Sequence, residues 1–278
     1  MPIIVYNGGS KTHTREGNTM LKYSQANAKT HAMSEVPELA AYLDGKRKIY
    51  SLDLLSGYSC PSAKACLSKV VEVDGKRRIK DGPDNEFRCF SASQEAQYPN
   101  VYNARKHNFD LLRAESWDAT LMAHLLSVSM PDNLGICRIH VAGDFFNRNY
   151  MEAWTMVARA NEDRLFYAYT KSLKYWLDMV DDIPYNMVMT ASYGGRDDHL
   201  IATKGLRSAT VVFSEAEADR LGADIDHDDS HAARPSLRNN SFALLLHGTQ
   251  PKGTEAADAL KALKGKGSYN RKKVLTTV

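Results

Sequence analysis

Cysteine is scarce in this chain, with four among 278 residues. So few thiols exclude a small fold stapled by a disulfide framework. Long apolar runs are missing too, since nothing approaches the roughly 18 consecutive apolar residues of a membrane span. The opening residues, Met1-Pro2-Ile3-Ile4-Val5-Tyr6-Asn7, carry no basic stretch followed by a long apolar one, so no secretory leader is expected. A cytoplasmic protein with no membrane partner is the expectation. Neither sign of charge dominates, because 36 basic and 33 acidic residues leave only +3. That balance does not argue for a nucleic-acid binder, whose basic residues usually gather on one face. Nucleic acid stays open as a partner without being expected. The one local concentration is Lys252, Lys261, Lys264, Lys266, Arg271, Lys272 and Lys273, which a solvated helix end explains as well as phosphate contacts do. No phosphate-loop GKS or GKT, GxGxxG, G-x-S-x-G or H-E-x-x-H is found. The common nucleotide, dinucleotide, serine-hydrolase and zinc-protease readings thereby lose their main support.

What is present is an ordinary globular composition, 43% hydrophobic and 25% charged, long enough for one large domain or two small ones. Residues 1–47 are polar, with Gly8-Gly9-Ser10 and one short helix expected near Pro37, and are read as an extension packing on the main domain. From residue 49 on, apolar runs rich in β-branched and aromatic residues alternate with segments of helical period. Strands are expected at 49–55, 136–142, 165–170, 186–192, 209–213 and 242–246. Helices are expected at 101–129 (one or two), 150–160, 173–180, just after Asp197, 215–221 and 254–264. Six strand–helix units in series mean α/β with a mainly parallel sheet. An open doubly wound sheet and an incomplete barrel both satisfy the pattern. The 223–240 stretch, holding His227 and His231, reads as a surface loop. Two histidines four apart would share a helix face and could bind a metal, but Pro235 and the acidic neighbours favour a loop.

Three of the four cysteines lie in one loop region, 57–93, directly after the first strand. Cys60 and Cys66 are separated by five residues, and Cys66 and Cys89 by twenty-two. In a reducing cytoplasm, gathered thiols bind metal or do chemistry more often than they form disulfides. Without a Cys-x-x-Cys pair, three ligands suit an iron–sulfur cluster with one iron left open, or a zinc completed by His, Asp or water. Three unliganded cysteines are the plain alternative. Cys137 falls at the far end of the second strand, about 15–20 Å from the loops by strand length, and is read as a core residue.

Strand ends supply the other candidates, because chemistry in parallel sheets gathers where strands give way to loops. His140 and Asp144 flank Gly143, as a fourth ligand or a general acid/base pair. Alternatively, His140 is a hydrogen-bonded core histidine and Asp144 a helix N-cap. Lys171 would bring a cation or nucleophile, or simply be solvated. Gly194 and Gly195 in Tyr193-Gly194-Gly195-Arg196 offer backbone N–H groups that could cradle a carboxylate or phosphate, although a tight turn explains them equally. His247-Gly248-Thr249-Gln250 is similar in kind.

Arg138-Ile139-His140-Val141-Ala142-Gly143-Asp144-Phe145-Phe146, the 150–154 segment, the 166–172 segment and the Cys60-Pro61/Cys66 loop resemble a family of phage-encoded proteins, the mycobacteriophage gene-product-eighty-eight group. That resemblance implies a viral origin and action in the host cytoplasm. A cysteine loop after the first of six strand–helix units also resembles the radical S-adenosylmethionine enzymes, whose partial barrel holds a four-iron (4Fe–4S) cluster on three cysteines there. Cys89-Phe90-Ser91-Ala92 looks like the end of their motif. Their spacing is C-x-x-x-C-x-x-C, however, and no Gly-Gly-Glu follows the second strand here, Gly143-Asp144 being nearest. The resemblance implies a radical-SAM-like partial (βα)6 barrel over 48–266, with a metal-binding loop at 57–93 and a basic tail at 267–278. It further implies a 4Fe–4S cluster on Cys60, Cys66 and Cys89, an open iron for a small-molecule substrate or S-adenosylmethionine, Asp144, Lys171 and His140 as catalytic groups, and Gly194 and Gly195 as a cofactor rest. A non-catalytic metalloprotein that senses redox state or binds a host protein is the competing reading. A hydrolase using His140 and Asp144, with the cysteines incidental, is a third.

Overall fold

The computed structural model of the protein describes residues 19–26 and 28–264. Gly8-Gly9-Ser10, Lys266 and the basic tail at 267–278 lie outside the described residues.

The strands are β1 (Tyr23–Gln25), β2 (Lys48–Leu52), β3 (Ser68–Val73), β4 (Lys76–Asp81), β5 (Leu134–Ile139), β6 (Leu165–Thr170), β7 (Met187–Ser192), β8 (Ser208–Val212) and β9 (Phe242–Leu245). The helices are α1 (Ala28–His31), α2 (Pro37–Ala40), α3 (Phe90–Gln97), α4 (Pro99–Ala114), α5 (Ala119–Val128), α6 (Arg148–Arg159), α7 (Leu173–Leu177), α8 (His199–Thr203), α9 (Glu215–Leu221), α10 (Ser230–Ala233) and α11 (Glu255–Ala262). Seven strands form one sheet in the order β1-β2-β5-β6-β7-β8-β9. β1 runs antiparallel to β2, and every other neighbouring pair in that sheet is parallel. The protein is α/β with a mostly parallel sheet flanked by helices. From β2 on, the spatial order follows the chain without reversing, so the sheet lacks the switch point of a doubly wound fold.

Alternation along each strand sorts the side chains onto two faces. Cys137 and Ile139 of β5, Phe166 and Ala168 of β6, and Met187, Met189 and Ala191 of β7 meet helices α4 to α8 through Phe109, Leu112, Met122, Trp154 and Ile201. Ile136, Leu165, Tyr167, Val188 and Phe242 face the other way, onto Met33, Leu39, Ala232 and Ala233. Caps decide where helices begin. Asp118 accepts from the backbone N–H groups of Thr120 and Leu121, which splits the 101–129 stretch into α4 and α5. Asn147 accepts from Tyr150 N–H and starts α6, and α9 stops at Gly222, whose left-handed φ of +61° favours glycine.

Two readings of the sequence need correction. The polar insert between Cys66 and Cys89 contains a β-hairpin, β3–β4, turned by Asp74 and Gly75 at φ 53° and 67°. Positive φ at both central residues is the type I′ geometry that matches strand twist. Its strands are mostly charged and lack a regular apolar alternation, so the pattern gave no strand signal. The 223–240 segment is no surface loop either. Asp226, Asp229, Ala232, Ala233 and Pro235 are buried, and α10 packs on β6 and β7. The segment folds back to cover the sheet face that the long helices leave bare.

Gly135 marks how closely the N-terminal segment approaches β5, since a Cβ there would sit 2.0 Å from the Tyr42 carbonyl oxygen. Gly135→Ala is expected to cost about 1–3 kcal/mol through overpacking. Urea denaturation checks this, and an unchanged midpoint would mean that the 41–43 turn is not seated on β5.

Candidate functional site

The site is assembled where the cysteine-bearing segment crosses the carboxyl ends of the strands. Leu54 N–H donates to the Ala142 carbonyl at 2.9 Å, and Val141 N–H to the Asp53 carboxylate at 2.7 Å, so the chain leaving β2 lies along the end of β5. Gly143 allows this closeness, because a Cβ there would stand 2.6 Å from Ser59 Oγ and 2.8 Å from Leu54 Cβ. Farther on, Lys64 and Ala65 N–H both donate to the Gly194 carbonyl, at 3.0 and 2.9 Å, and Arg196 N–H donates to Ser62 at 2.9 Å. This pins the Cys60–Cys66 turn to the end of β7. The Cys89 side is clamped to the end of β9. Gln250 Oε1 accepts from Arg88 N–H at 2.8 Å while its Nε2 donates to the Arg88 carbonyl at 3.1 Å. Phe90 packs on the His247 ring at 4.5 Å between centroids, over Gly248.

The result is a cavity of about 190 Å³ lined by Cys60, Cys66 and Cys89 together. Arg138, Tyr169, Lys171, Ser192, Asp144 and Asp229 supply its polar wall, and Phe90, Val211, Leu244 and Leu246 its apolar one. The thiols feel one another. Burial, then the Asp144 carboxylate and the other two cysteines, hold Cys60 well above the ordinary thiol range. Cys89 is pushed up to about 11 by burial and then by Cys66. Cys60 and Cys89 therefore favour the neutral thiol unless a compensating cation lies beside them. Among the described residues, no group of three or more His, Cys, Asp or Glu is arranged to hold a metal ion. Cys137 is fully buried in the cluster on the helical side of the sheet, and is not among the residues lining this cavity.

The remaining sequence candidates fall into different environments. Asp144 is buried and accepts from Phe145 N–H at 2.7 Å, Thr170 Oγ1 at 2.6 Å and Lys171 N–H at 2.9 Å. Burial still outweighs these bonds and holds its carboxyl above the usual carboxylate range. It ties β5 to β6 and is not a helix cap, since Asn147 has that role. Lys171 is not solvated; its ammonium donates to Ser192 Oγ at 2.6 Å and its stem lies against Gly195. His140 takes a left-handed backbone, φ 72°, and its Nε2 lies 3.1 Å from the Tyr150 hydroxyl. Burial, helped by Arg138, drops it to about 3, so the ring is neutral across the physiological range and a poor acid/base partner for Asp144. The Gly194 and Gly195 N–H groups are not open to a ligand. Each donates at 2.8 Å to a carboxylate oxygen of Asp198, so the anion in that cradle is the chain's own. His227 is exposed and His231 turns to Asp226 at 3.7 Å, so the two histidines do not pair on a metal.

Several residues escaped sequence reasoning. Arg138 forms an ion pair with Asp229, which also accepts from the Tyr167 hydroxyl at 3.1 Å, while the guanidinium sits 5.0 Å from the Tyr169 ring centre. This band floors the cavity. Arg105, nearly out of contact with water, donates to Glu95 and to the Ser91 carbonyl, both at 3.2 Å, and reaches Asp53 at 3.8 Å. Glu95 in turn accepts from Ser56 N–H at 3.0 Å and Ser56 Oγ at 2.7 Å. A charged residue amid strand apolars was the available signal for Arg138. For Arg105 and Glu95 there was none, as each looks like an ordinary helix-surface charge.

These features define a class: an α/β protein with a cysteine-lined pocket at the carboxyl ends of a mainly parallel sheet. Residues 13–265 match the family described as Gene product 88, and the chain belongs to that family. The Gene 88 protein of Mycobacterium phage L5 is 32% identical over 124 residues, spanning 41% of this chain and 44% of that protein. No solved structure matches. The radical S-adenosylmethionine likeness therefore gains nothing from these comparisons.

Two measurements test this description. Asp198→Ala should free the two glycine N–H groups and loosen the Cys60–Cys66 turn, costing about 1–3 kcal/mol. Alkylation of Cys60 and Cys66 should speed up while Cys137 stays protected; unchanged rates would contradict the pinning. For His140, the unfolded chain takes up a proton near pH 6.5 and the folded one only near 3, so its contribution to stability falls as pH drops through that interval. His140→Asn, which also tolerates a left-handed backbone, should show a shallower loss of melting temperature between pH 6.5 and 4 than the parent protein.

Proposed function

We propose that this chain holds an iron–sulfur cluster of the four-iron type on Cys60, Cys66 and Cys89 and uses the pocket beneath it for a small molecule. One observation carries the reading: thiols from two separately anchored segments converge on a single cavity at the strand ends. The donor set fits. Thiolate is the ligand such clusters take from protein, and the cluster's iron supplies the positive charge that three mutually repelling thiolates require. A single ion would need its sulfur donors within about 2.3 Å of one point. A cluster spreads its irons over a larger volume, so it suits three thiols that line one cavity without being gathered around a single ion. With three protein ligands, one iron would be left open to bind and polarise a small molecule or pass it an electron.

The chain's own groups would then act around that point. Lys171 and Ser192 form a hydrogen-bonded pair that can give a proton or a cationic contact to a substrate oxygen. Asp144 holds Thr170 by its hydroxyl and Lys171 by its backbone N–H, and Arg138 with Asp229 presents a charged floor. The apolar wall excludes water from the far side. The finer architectural reading, a partial barrel of six strand–helix units, draws support from a strand order that never reverses and from long helices confined to one face. S-adenosylmethionine is one candidate for the open iron. A second reading, a non-catalytic redox sensor, draws support from Cys66 and Cys89 lining the same cavity, since gathered thiols are what an oxidant joins.

Anaerobic purification or reconstitution with iron and sulfide should give a brown protein with bound iron and sulfide. Cys60→Ser, Cys66→Ser and Cys89→Ser should each lose the visible absorption, whereas Cys137→Ser should keep it. A colourless protein containing zinc, or equal colour in all four variants, would overturn the cluster. Spectral change on titrating the reduced protein with S-adenosylmethionine would support the enzyme; no change would leave the sensor ahead.

A further inference from the structure

The cysteine-bearing segment carries a second feature that the pocket does not use. The β3–β4 hairpin projects between Cys66 and Cys89, and cross-strand register sorts its side chains into two faces. On the inner face Val70 and Ser68 are buried, and Glu72 stands directly across from Arg77. The outer face pairs Lys69 with Lys80, Val71 with Arg78 and Val73 with Lys76. Four cations and two valines thus share one face with no acid among them. Lys76, Arg78 and Lys80 are exposed, and among the described residues no carboxylate forms an ion pair with any of the three.

Such an arrangement is unfavourable for the hairpin alone. Like charges directly opposite one another on a strand pair are destabilising, and Lys69 against Lys80 is that case. Glu72 against Arg77 shows that the same hairpin can pair charge with counter-charge on its other face. The near-zero net charge of the chain hides this one-sided arrangement, because the hairpin's own acids lie off that face, Glu72 and Asp81 at the other register positions and Asp74 in the turn. An aromatic accompanies the cations: Tyr58 is 43% exposed, and the Lys69 ammonium lies 5.0 Å from its ring centre. Exposed aromatic rings among basic side chains suit stacked bases beside a phosphate chain. A two-stranded ribbon is also an element that the major groove of duplex DNA admits.

We propose that the outer face of this ribbon binds the phosphodiester backbone of a nucleic acid. The occupant is a polyanion of regular charge spacing, and the ribbon meets it with Lys69, Lys76, Arg78 and Lys80 while Tyr58 stands ready for a base. This site is separate from the pocket and does not depend on which metal, if any, the thiols hold. Because the ribbon links Cys66 to Cys89, nucleic acid bound there lies beside the thiol-bearing turns.

The test is fluorescence anisotropy with the full-length protein, using a short labelled duplex and the corresponding single strand over a range of salt concentrations. Binding should weaken linearly on a log–log plot against salt. The triple variant Lys76→Gln, Arg78→Gln, Lys80→Gln should bind at least tenfold more weakly and lose about one unit of slope per contact removed. A control triple that removes the same charge elsewhere, Lys106→Gln, Lys204→Gln, Lys261→Gln, should bind as the parent does. Should the ribbon triple misfold by circular dichroism, Lys76→Gln alone, next to the turn, should still lower both affinity and slope. Preference for duplex or single strand would tell which form is bound. Absence of binding to either, equal loss in both triples, or binding only to polyglutamate or to anionic vesicles would overturn the proposal.

Discussion

A buried guanidinium sets the geometry on which the pocket depends. Arg105 on α4 reaches Asp53 after β2, Glu95 on α3 and the Ser91 carbonyl, while Glu95 holds Ser56 by both its backbone and its hydroxyl. These contacts fix the approach to Cys60 relative to the start of α3, which carries Cys89 at its N-terminal boundary. A carboxylate left alone in such a place would be far costlier than an exposed one, so the group holds only as a whole. Burial raises Glu95 even with Arg105 beside it, which shows how little water reaches the network.

The same logic recurs at the strand ends. Parallel strands leave N–H and carbonyl groups unpaired where they stop, and these must be satisfied within the protein when buried. Here the segment leaving β2 satisfies two of them, the Ala142 carbonyl through Leu54 and the Gly194 carbonyl through Lys64 and Ala65, while the Gly194 and Gly195 N–H groups are taken by Asp198 of their own loop. Roof and sheet are therefore one hydrogen-bonded unit. Beneath the roof, Arg138 and Asp229 neutralise each other at low dielectric, which lets a charged floor persist under partly apolar walls. A ligand entering between them would meet oriented charges without first having to strip them of solvent.

Membership of the Gene product 88 family places the chain among phage proteins. The relative from Mycobacterium phage L5 covers under half of each chain, so what the two share is family, not an assigned activity. The pocket and the ribbon suggest two different kinds of ligand on one segment. The thiols face inward toward a cavity, whereas the hairpin between them turns its cations outward. Insertion of a hairpin between two cysteines lengthens their spacing to twenty-two residues without moving either away from the pocket, because the strands run out and return.

Sequence alone determined the parallel sheet and which strand ends bear polar groups. Runs such as Leu165–Thr170 are apolar on both faces and short, which leaves buried parallel strand as the natural outcome. It also singled out Cys60, Cys66 and Cys89 and set Cys137 apart, since strand alternation and length are properties of local chain. Tertiary structure alone decided who partners whom. The Gly194–Gly195 turn received Asp198, His140 was sealed against Tyr150 and lost its proton, and the 223–240 segment turned inward to bring Asp229 to Arg138. Those outcomes depend on how local turns are set by packing, on a contact between residues far apart in the chain in the case of Arg138 and Asp229, and on the water excluded when the groups meet. None of these is written in composition, spacing or period.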